Sequence, residues 1–234
     1  MTASNALHAF ERGRVWTGTA LSSYWGMPAW LARDASDEYR RRLQAARRHW
    51  APLARCLSDD ATGFGLDRAE IMTSIYEREP LRGLERLERS ETASSNIVKH
   101  RSVSTLLQGL CAASALSARR NDQRLRTVVE ESASHLEGPH MRPFVHICNA
   151  ALAVDETNLE RAAGELRTAA DLFDTASMAM HAAATRRRLG QMLGGEGGKA
   201  HAAAAEAFML AQRVLNLESL TEMLCPGAQA GTTA

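Results

Sequence analysis

The sequence predicts an all-helical fold, on three observations. Of its 234 residues 41 are alanine, and hydrophobic residues reach 45% while aromatics are only 5%. Alanine and leucine head the helix-propensity order, and the β-branched and aromatic residues that favour strands are scarce. Apolar residues recur at three- and four-residue steps in one segment after another. These segments are joined by short turns at nearly regular spacing. A sandwich, a barrel, a collagen-like chain and a disordered chain are all excluded by this pattern.

Residues 1–35 are the least regular. Trp16, Trp25 and Trp30 stand among Gly13, Gly18, Gly26 and Pro28, which predicts an irregular segment whose tryptophans fold back on the body or on a partner. From Ser36 the helical signal is continuous. Asp34 or Ser36 is expected to cap a helix that turns Tyr39, Leu43, Ala46, Trp50, Leu53 and Leu57 to one side. Arg40, Arg41, Arg42, Arg47 and Arg48 lie on the other side. A break is expected over Asp59–Gly63, followed by a helix striped by Leu66, Ala69, Ile71, Met72, Ile75 and Tyr76. Pro80 suits the first position of the next helix, which holds Leu81, Leu84 and Leu87.

A longer helix is predicted from about Ala93 to Ala118, with Val103, Leu106, Leu107, Leu110, Cys111 and Ser114 on one stripe. Asn121-Asp122 marks a turn. Leu125, Val128, Val129, Ser132 and Leu136 stripe a helix that stops at Gly138-Pro139. Phe144, Ile147, Cys148, Ala151 and Leu152 form the next. Asp155 is expected to cap the helix of Leu159, Ala162, Ala163, Leu166, Ala170 and Phe173. Another runs from about Ala176 to Leu193. A glycine turn at 194–198 then leads into Ala200–Leu215, striped by Ala204, Ala207, Phe208, Ala211 and Leu215. Asn216 should cap a last short helix through Leu220 and Leu224, closed by Pro226-Gly227, with 228–234 as a tail.

First-of-pair helices begin near 65, 93, 140 and 176, and second-of-pair helices near 80, 121, 156 and 198. The later intervals match one helix–turn–helix unit of tetratricopeptide type. The expected architecture is therefore a tetratricopeptide-like α-solenoid of about four helix pairs over residues 36–227, with a capping C-terminal helix. No single unit carries the complete tetratricopeptide pattern of Trp, Leu-Gly, Tyr, Ala, Phe and Pro.

Charge and cysteine usage narrow the function. Lys plus Arg total 28 and Asp plus Glu 27, a formal charge of +1, so no overall excess of positive charge attracts polyanions. Cys56, Cys111, Cys148 and Cys225 are widely spaced, with no CxxC pair for zinc or redox chemistry. The opening residues lack a signal-type apolar run, and nowhere do 18 apolar residues follow one another. A cytoplasmic location with reduced thiols is expected.

The stretch Asp174–Lys199 (DTASMAMHAAATRRRLGQMLGGEGGK), with Ala207–Gln212 (AFMLAQ) and Leu220–Gly227 (LTEMLCPG), resembles the last repeat of the helical-repeat regions that follow the catalytic domain of many bacterial serine/threonine protein kinases, especially myxobacterial ones. Arg47-Arg48-His49-Trp50 and Leu84–Ser90 (LERLERS) are similar to the same family. The resemblance spans residues 36–227 and is most specific over 174–227. It implies the repeat module alone. The kinase glycine-rich loop, VAIK-type lysine, HRD and DFG are absent from the sequence, as is GxxxxGK[ST], so no kinase activity is carried over.

Each candidate for chemistry has a structural reading that outweighs it. The Gly194–Gly198 run precedes a helix, where amides can hold a phosphate, but no strand leads into it and Glu196 would repel an anion, so an interhelical turn is expected. His146 and Cys148 stand two residues apart on a helix and point to different faces, so Cys148 is expected to be a core thiol. No pair of histidines has metal-ligand spacing. Neither a cofactor nor a metal is expected. The arginine clusters at 40–48, 119–126 and 186–188 are read as solvated faces with local ion pairs. The function expected is a non-catalytic protein–protein interaction module that binds a peptide or domain of a signalling partner. Its contacts would come from polar positions of first-of-pair helices: His100, Gln108, His146, Asn149, His181 and Arg188. The alternative is a helical protein that binds nucleic acid through the arginines. Self-association through the Trp-rich segment is compatible with both.

Overall fold

The computed structural model describes residues 31–57, 60–93 and 97–228. They form α1 (Ser36–Leu57), α2 (Asp60–Tyr76), α3 (Pro80–Ala93), α4 (Ile97–Ala118), α5 (Gln123–His135), α6 (Arg142–Asp155), α7 (Leu159–Thr175), α8 (Ala179–Leu193), α9 (Gly195–Ala211) and α10 (Leu217–Leu224), and no strand. The all-α expectation holds. Residues 1–30 of the irregular segment, with Trp16, Trp25 and Trp30, and 229–234 of the tail lie outside the described residues, whereas Ala228, expected in the tail, is buried.

Four helix hairpins follow one another: α2 packs on α3, α4 on α5, α6 on α7 and α8 on α9. Each second helix also packs on the first helix of the next pair, joining α3 to α4, α5 to α6 and α7 to α8. The first helices touch among themselves as well, α2 with α4 and α4 with α6, while α1 covers α2. The hairpin turns pass through positive φ at Arg78, Asn121, Thr157 and Gly194, at successive separations of 43, 36 and 37 residues.

Where these helices end, the chain reuses one solution. The amide of Glu79 donates to the Ser74 carbonyl at 2.8 Å, Asn158 to Ala153 at 2.8 Å, Met178 to Phe173 at 2.8 Å and Val214 to Met209 at 3.1 Å. Each bond closes a helix C-terminus with a left-handed residue just before the donor, so orphan carbonyls are satisfied without glycine. Helices α5, α7 and α10 start on a side-chain cap, whereas α8, which begins behind Met178, has none. Asp122 Oδ1 accepts from the Arg124 and Leu125 amides, Asn158 Oδ1 from Arg161 and Asn216 Oδ1 from Ser219.

Four expectations are corrected. Asp155 does not cap α7 but ends α6, where Oδ1 accepts from the Asn121 amide at 2.8 Å and Oδ2 pairs with Arg126. Its carboxylate thus ties one hairpin turn to the next, and Asn158 takes the capping role. The break expected over 59–63 does not extend past residue 59, because α2 begins at Asp60. The glycine run is not a separating turn over its length. Gly194 and Gly195 have positive φ, but α9 begins at Gly195, and Gly198 lies inside it against the Gly190 carbonyl. The stripe Ala204, Ala207, Phe208, Ala211 and Leu215 is exposed throughout, Phe208 and Leu215 at 37% and 70%, and the side of α9 that is buried carries Ala205 and Met209 instead.

Among the described residues the buried apolar side chains fall into two clusters, one running through the hairpins from Leu31 to Ala228 and a smaller one where α4, α5 and α6 meet. Leu116, Leu125, Val129, Cys148 and Leu152 are among the members of the smaller one, and Leu84 packs against both. Leu31, Leu66, Ile71, Ile75, Leu107, Leu116, Ile147, Leu166, Phe173, Met209, Leu220 and Met223 are fully enclosed. Alanines at 112, 113, 150, 153, 162, 169 and 184 are buried among them, which lets the helix axes approach closely while larger neighbours fill the remaining space.

Candidate functional site

Among the described residues, one polar cluster is enclosed inside the stack of hairpins and a charged trough lies on its outer surface. The inner one is built on α10. This helix packs against α2, α8 and α9, although α2 is far away in sequence. Every residue from Leu220 to Ala228 is buried. Gly227 adopts φ +81, and a Cβ there would meet the Ala113 carbonyl oxygen at 2.3 Å and the Ala151 Cβ at 2.9 Å. The chain following α10 is therefore pressed onto α4 and α6. The last helix and the chain after it thus lie against the first-of-pair helices α2, α4, α6 and α8, and of the residues expected to contact a partner Arg188 is enclosed there.

Charge holds it there. Arg188 Nη2 donates to Glu222 Oε2 at 2.8 Å, with the two side chains 3% and 4% exposed. Ser114 Oγ donates to Glu222 Oε1 at 2.7 Å. Arg187 reaches Glu206 at 2.9 Å, Glu218 at 2.7 Å and the Thr221 hydroxyl at 3.4 Å. Burial pushes the Glu218 carboxyl upward, but the Arg187 bond and the charges of Arg188 and Arg187 outweigh it and leave its pKa lowered. The solvated face expected at 186–188 is corrected accordingly. Arg186 pairs with Asp174, while Arg187 and Arg188 are buried beside carboxylates from 31 and 34 residues downstream.

The outer region is a trough across α3, α4 and α5. Leu81, Leu84, Leu125 and Val128 supply an apolar floor, and Glu85, Glu88, Arg119, Asp122 and Arg124 supply a charged rim around about 310 Å³. A second hollow of about 270 Å³ continues past Gln108, lined by Arg101, Ser104, Thr105, Glu131, Ser132 and His135. Gln108 borders both.

The remaining sequence-selected residues are scattered. His100 lies on α4, with its side chain outside the described part. His146, on α6, bonds through Nδ1 to Glu165 Oε2 of α7 at 2.6 Å. Asn149, also on α6, is partly exposed. Arg188 belongs to the inner cluster. Of the six, only Gln108 borders the trough; its lining on α3 and α5 belongs to helices that the sequence reading did not select.

His181, on α8, packs edge-on to Phe144 with ring centres 5.7 Å apart, and against Phe173 at 5.1 Å. Burial, with a smaller contribution from the positive Arg68, lowers its pKa from 6.5 to about 4. The folded protein thus holds neutral imidazole where the unfolded chain would bind a proton. Stability is full above about pH 6.5, falls as pH drops toward 4, and loses nothing further from this group below that. The expected loss is on the order of 2–3 kcal/mol. Urea unfolding at pH 7 and pH 4.5 checks it. The pH-dependent loss should be smaller by that amount in His181→Leu, and equal losses in the two proteins would refute the assignment.

Nucleophiles and bases do not converge among the described residues. Cys148 faces α4 and α5, with Sγ 3.3 Å from where a Cβ on Gly109 would stand, whereas His146 turns to α7. Burial pushes the Cys148 and Cys225 thiols up to about 12 and Cys111 higher still, which keeps them protonated and unreactive at neutral pH. No group of three or more His, Cys, Asp or Glu side chains among the described residues could hold a metal ion. No described helix is long and apolar enough to cross a membrane. No family model, characterised protein or solved structure matches the chain.

Proposed function

We propose that the chain is a non-catalytic protein–protein interaction module, a tetratricopeptide-like α-solenoid of about four helix pairs of the kind attached to bacterial serine/threonine kinases, working in the cytoplasm on a signalling partner. The observation that carries this reading is the trough across α3, α4 and α5. An apolar floor inside a mixed-charge rim offers hydrophobic anchoring together with directional polar contacts, the combination that peptide recognition uses. The chaining of each hairpin onto the next supports the repeat architecture, since each pair buries its apolar face against its neighbours.

The arginines favour a protein over a nucleic acid. Arg40 pairs with Glu77, Arg41 and Arg42 with Glu38, and Arg47 and Arg86 with Asp67 and Glu70. Arg126 pairs with Glu130, Asp155 and Glu156. Guanidinium groups committed to carboxylates have less to offer phosphates.

The test is capture from a lysate of the source cells, followed by titration of the purified partner. Gln108→Arg and Val128→Arg should each weaken binding at least tenfold while leaving the circular dichroism spectrum unchanged. Failure to retain a protein even at low salt, or retention equal to the unmodified chain by both variants, would overturn the reading.

A further inference from the structure

From Ala200 onward helix α9 is apolar on both faces apart from His201 and Glu206, the latter paired with Arg187, while its first turn carries the exposed pair Glu196 and Lys199. Its inner side, through Ala205 and Met209, is buried against the stack. From Ala200 to Ala211 the outward positions are Ala200, Ala203, Ala204, Ala207, Phe208, Leu210 and Ala211, all exposed and none polar except His201 at the margin. Leu193 and Leu215 extend this surface at its two ends, 43% and 70% exposed. A continuous apolar patch of this kind marks a docking surface.

The chain itself indicates the occupant. Leu31 is completely buried, and the Ala32 carbonyl accepts from the Leu215 amide at 2.6 Å. Asp34 Oδ1 accepts from the Asn216 side-chain amide at 3.2 Å and from the Tyr76 hydroxyl at 2.7 Å. Residues 1–30 are thus tethered at the edge of the bare face, beside its most exposed leucine. They include Phe10, Trp16, Leu21, Trp25, Met27 and Trp30, with only Glu11, Arg12 and Arg14 charged among Lys, Arg, Asp and Glu. The 17 residues of α9 span roughly 25 Å, a distance that about eight extended residues cover. We propose that residues 1–30 lie across the outer face of α9, with tryptophan rings over the alanine row 200–204–207–211 and Phe208 and Leu210 on either side. This surface is distinct from the trough, so the inference does not depend on the partner reading.

Trypsin cleavage at Arg12 and Arg14, followed by mass spectrometry, reports directly on this contact. In the full chain both sites should be cut at least tenfold more slowly than in a synthetic peptide of residues 1–30. Ala204→Asp and Leu210→Asp, at two exposed positions of the same face, should each restore cleavage to near the peptide rate. Light scattering should give a monomer throughout, and melting curves show whether either variant has lost its fold. Cleavage of the unmodified chain at the peptide rate would overturn the proposal. So would a dimer that either variant dissociates, since the face would then be covered by a second copy.

Discussion

Glu222→Ala is expected to lower the free energy of unfolding by about 3–5 kcal/mol, the cost of removing one partner from a buried ion pair. Glu222 accepts from Arg188 and Ser114 while nearly inaccessible to water. Truncation leaves the Arg188 guanidinium enclosed with its nearest carboxylate gone. Glu218 Oε1 stands 3.5 Å from Nη1 and offsets only part of that loss. Arg188 Nε already has no hydrogen-bond partner, so the site has little spare acceptor capacity. In this size range such a loss lowers the melting temperature by on the order of 10 °C. The double variant Arg188→Met with Glu222→Met should be markedly more stable than Glu222→Ala, because it removes the charge along with its counter-charge. Urea unfolding of the three proteins decides the matter. A loss below about 1 kcal/mol in Glu222→Ala, or a double variant no better than the single, would show that α10 is not held by this pair.

This pairing also marks the limit of what the linear pattern reveals. Helix faces were legible, because a three- and four-residue stripe is the direct imprint of one buried side: Leu107, Leu110, Cys111, Leu166 and Phe173 are all enclosed. Turn chemistry was partly legible. Pro80 and Asn216 stand where their local preferences put them, whereas Asp155 satisfied the residue preference of a cap and was recruited instead by Asn121 and Arg126. The run Arg186-Arg187-Arg188 looks locally like a solvated patch. Its burial is decided by Glu218 and Glu222, which arrive from another helix, and no short window contains that information. The trough had a similar fate. Gln108 was selected as a polar position on a first-of-pair helix, but the groove it borders is made by α3 and α5 closing over it, a property of the packing angle and not of periodicity. Phe208 and Leu215 obeyed the helical spacing and still remained exposed, since spacing identifies an apolar face without saying what covers it.

Two glycines within helices give the sharpest separation between local preference and packing, and they are expected to respond to alanine with opposite sign. At Gly164 in α7 a Cβ would meet nothing within 4 Å. Gly164→Ala should therefore stabilise the protein by about 0.5–1 kcal/mol, the helix-propensity gain with no steric cost. At Gly190 in α8 the same atom would stand 2.6 Å from the Ala202 amide nitrogen, 2.6 Å from the Gly198 carbonyl oxygen and 3.0 Å from the Ala202 Cβ. Two of those neighbours are backbone and cannot swing aside, so α8 and α9 would have to separate. Gly190→Ala should cost about 3 kcal/mol or more, at the upper end of overpacking. Gly198 meets Gly190 from the other side, its own Cβ falling 2.6 Å from the Gly190 carbonyl. Gly198→Ala should then be damaging too, and the double variant should cost less than the two losses added, because one separation of the helices accommodates both methyl groups. Denaturant curves for the unmodified protein and these four variants test this, and the sign is the deciding quantity. A neutral Gly190→Ala would mean that the α8–α9 crossing is looser than described, and strict additivity with Gly198→Ala would mean that the two glycines do not share one contact.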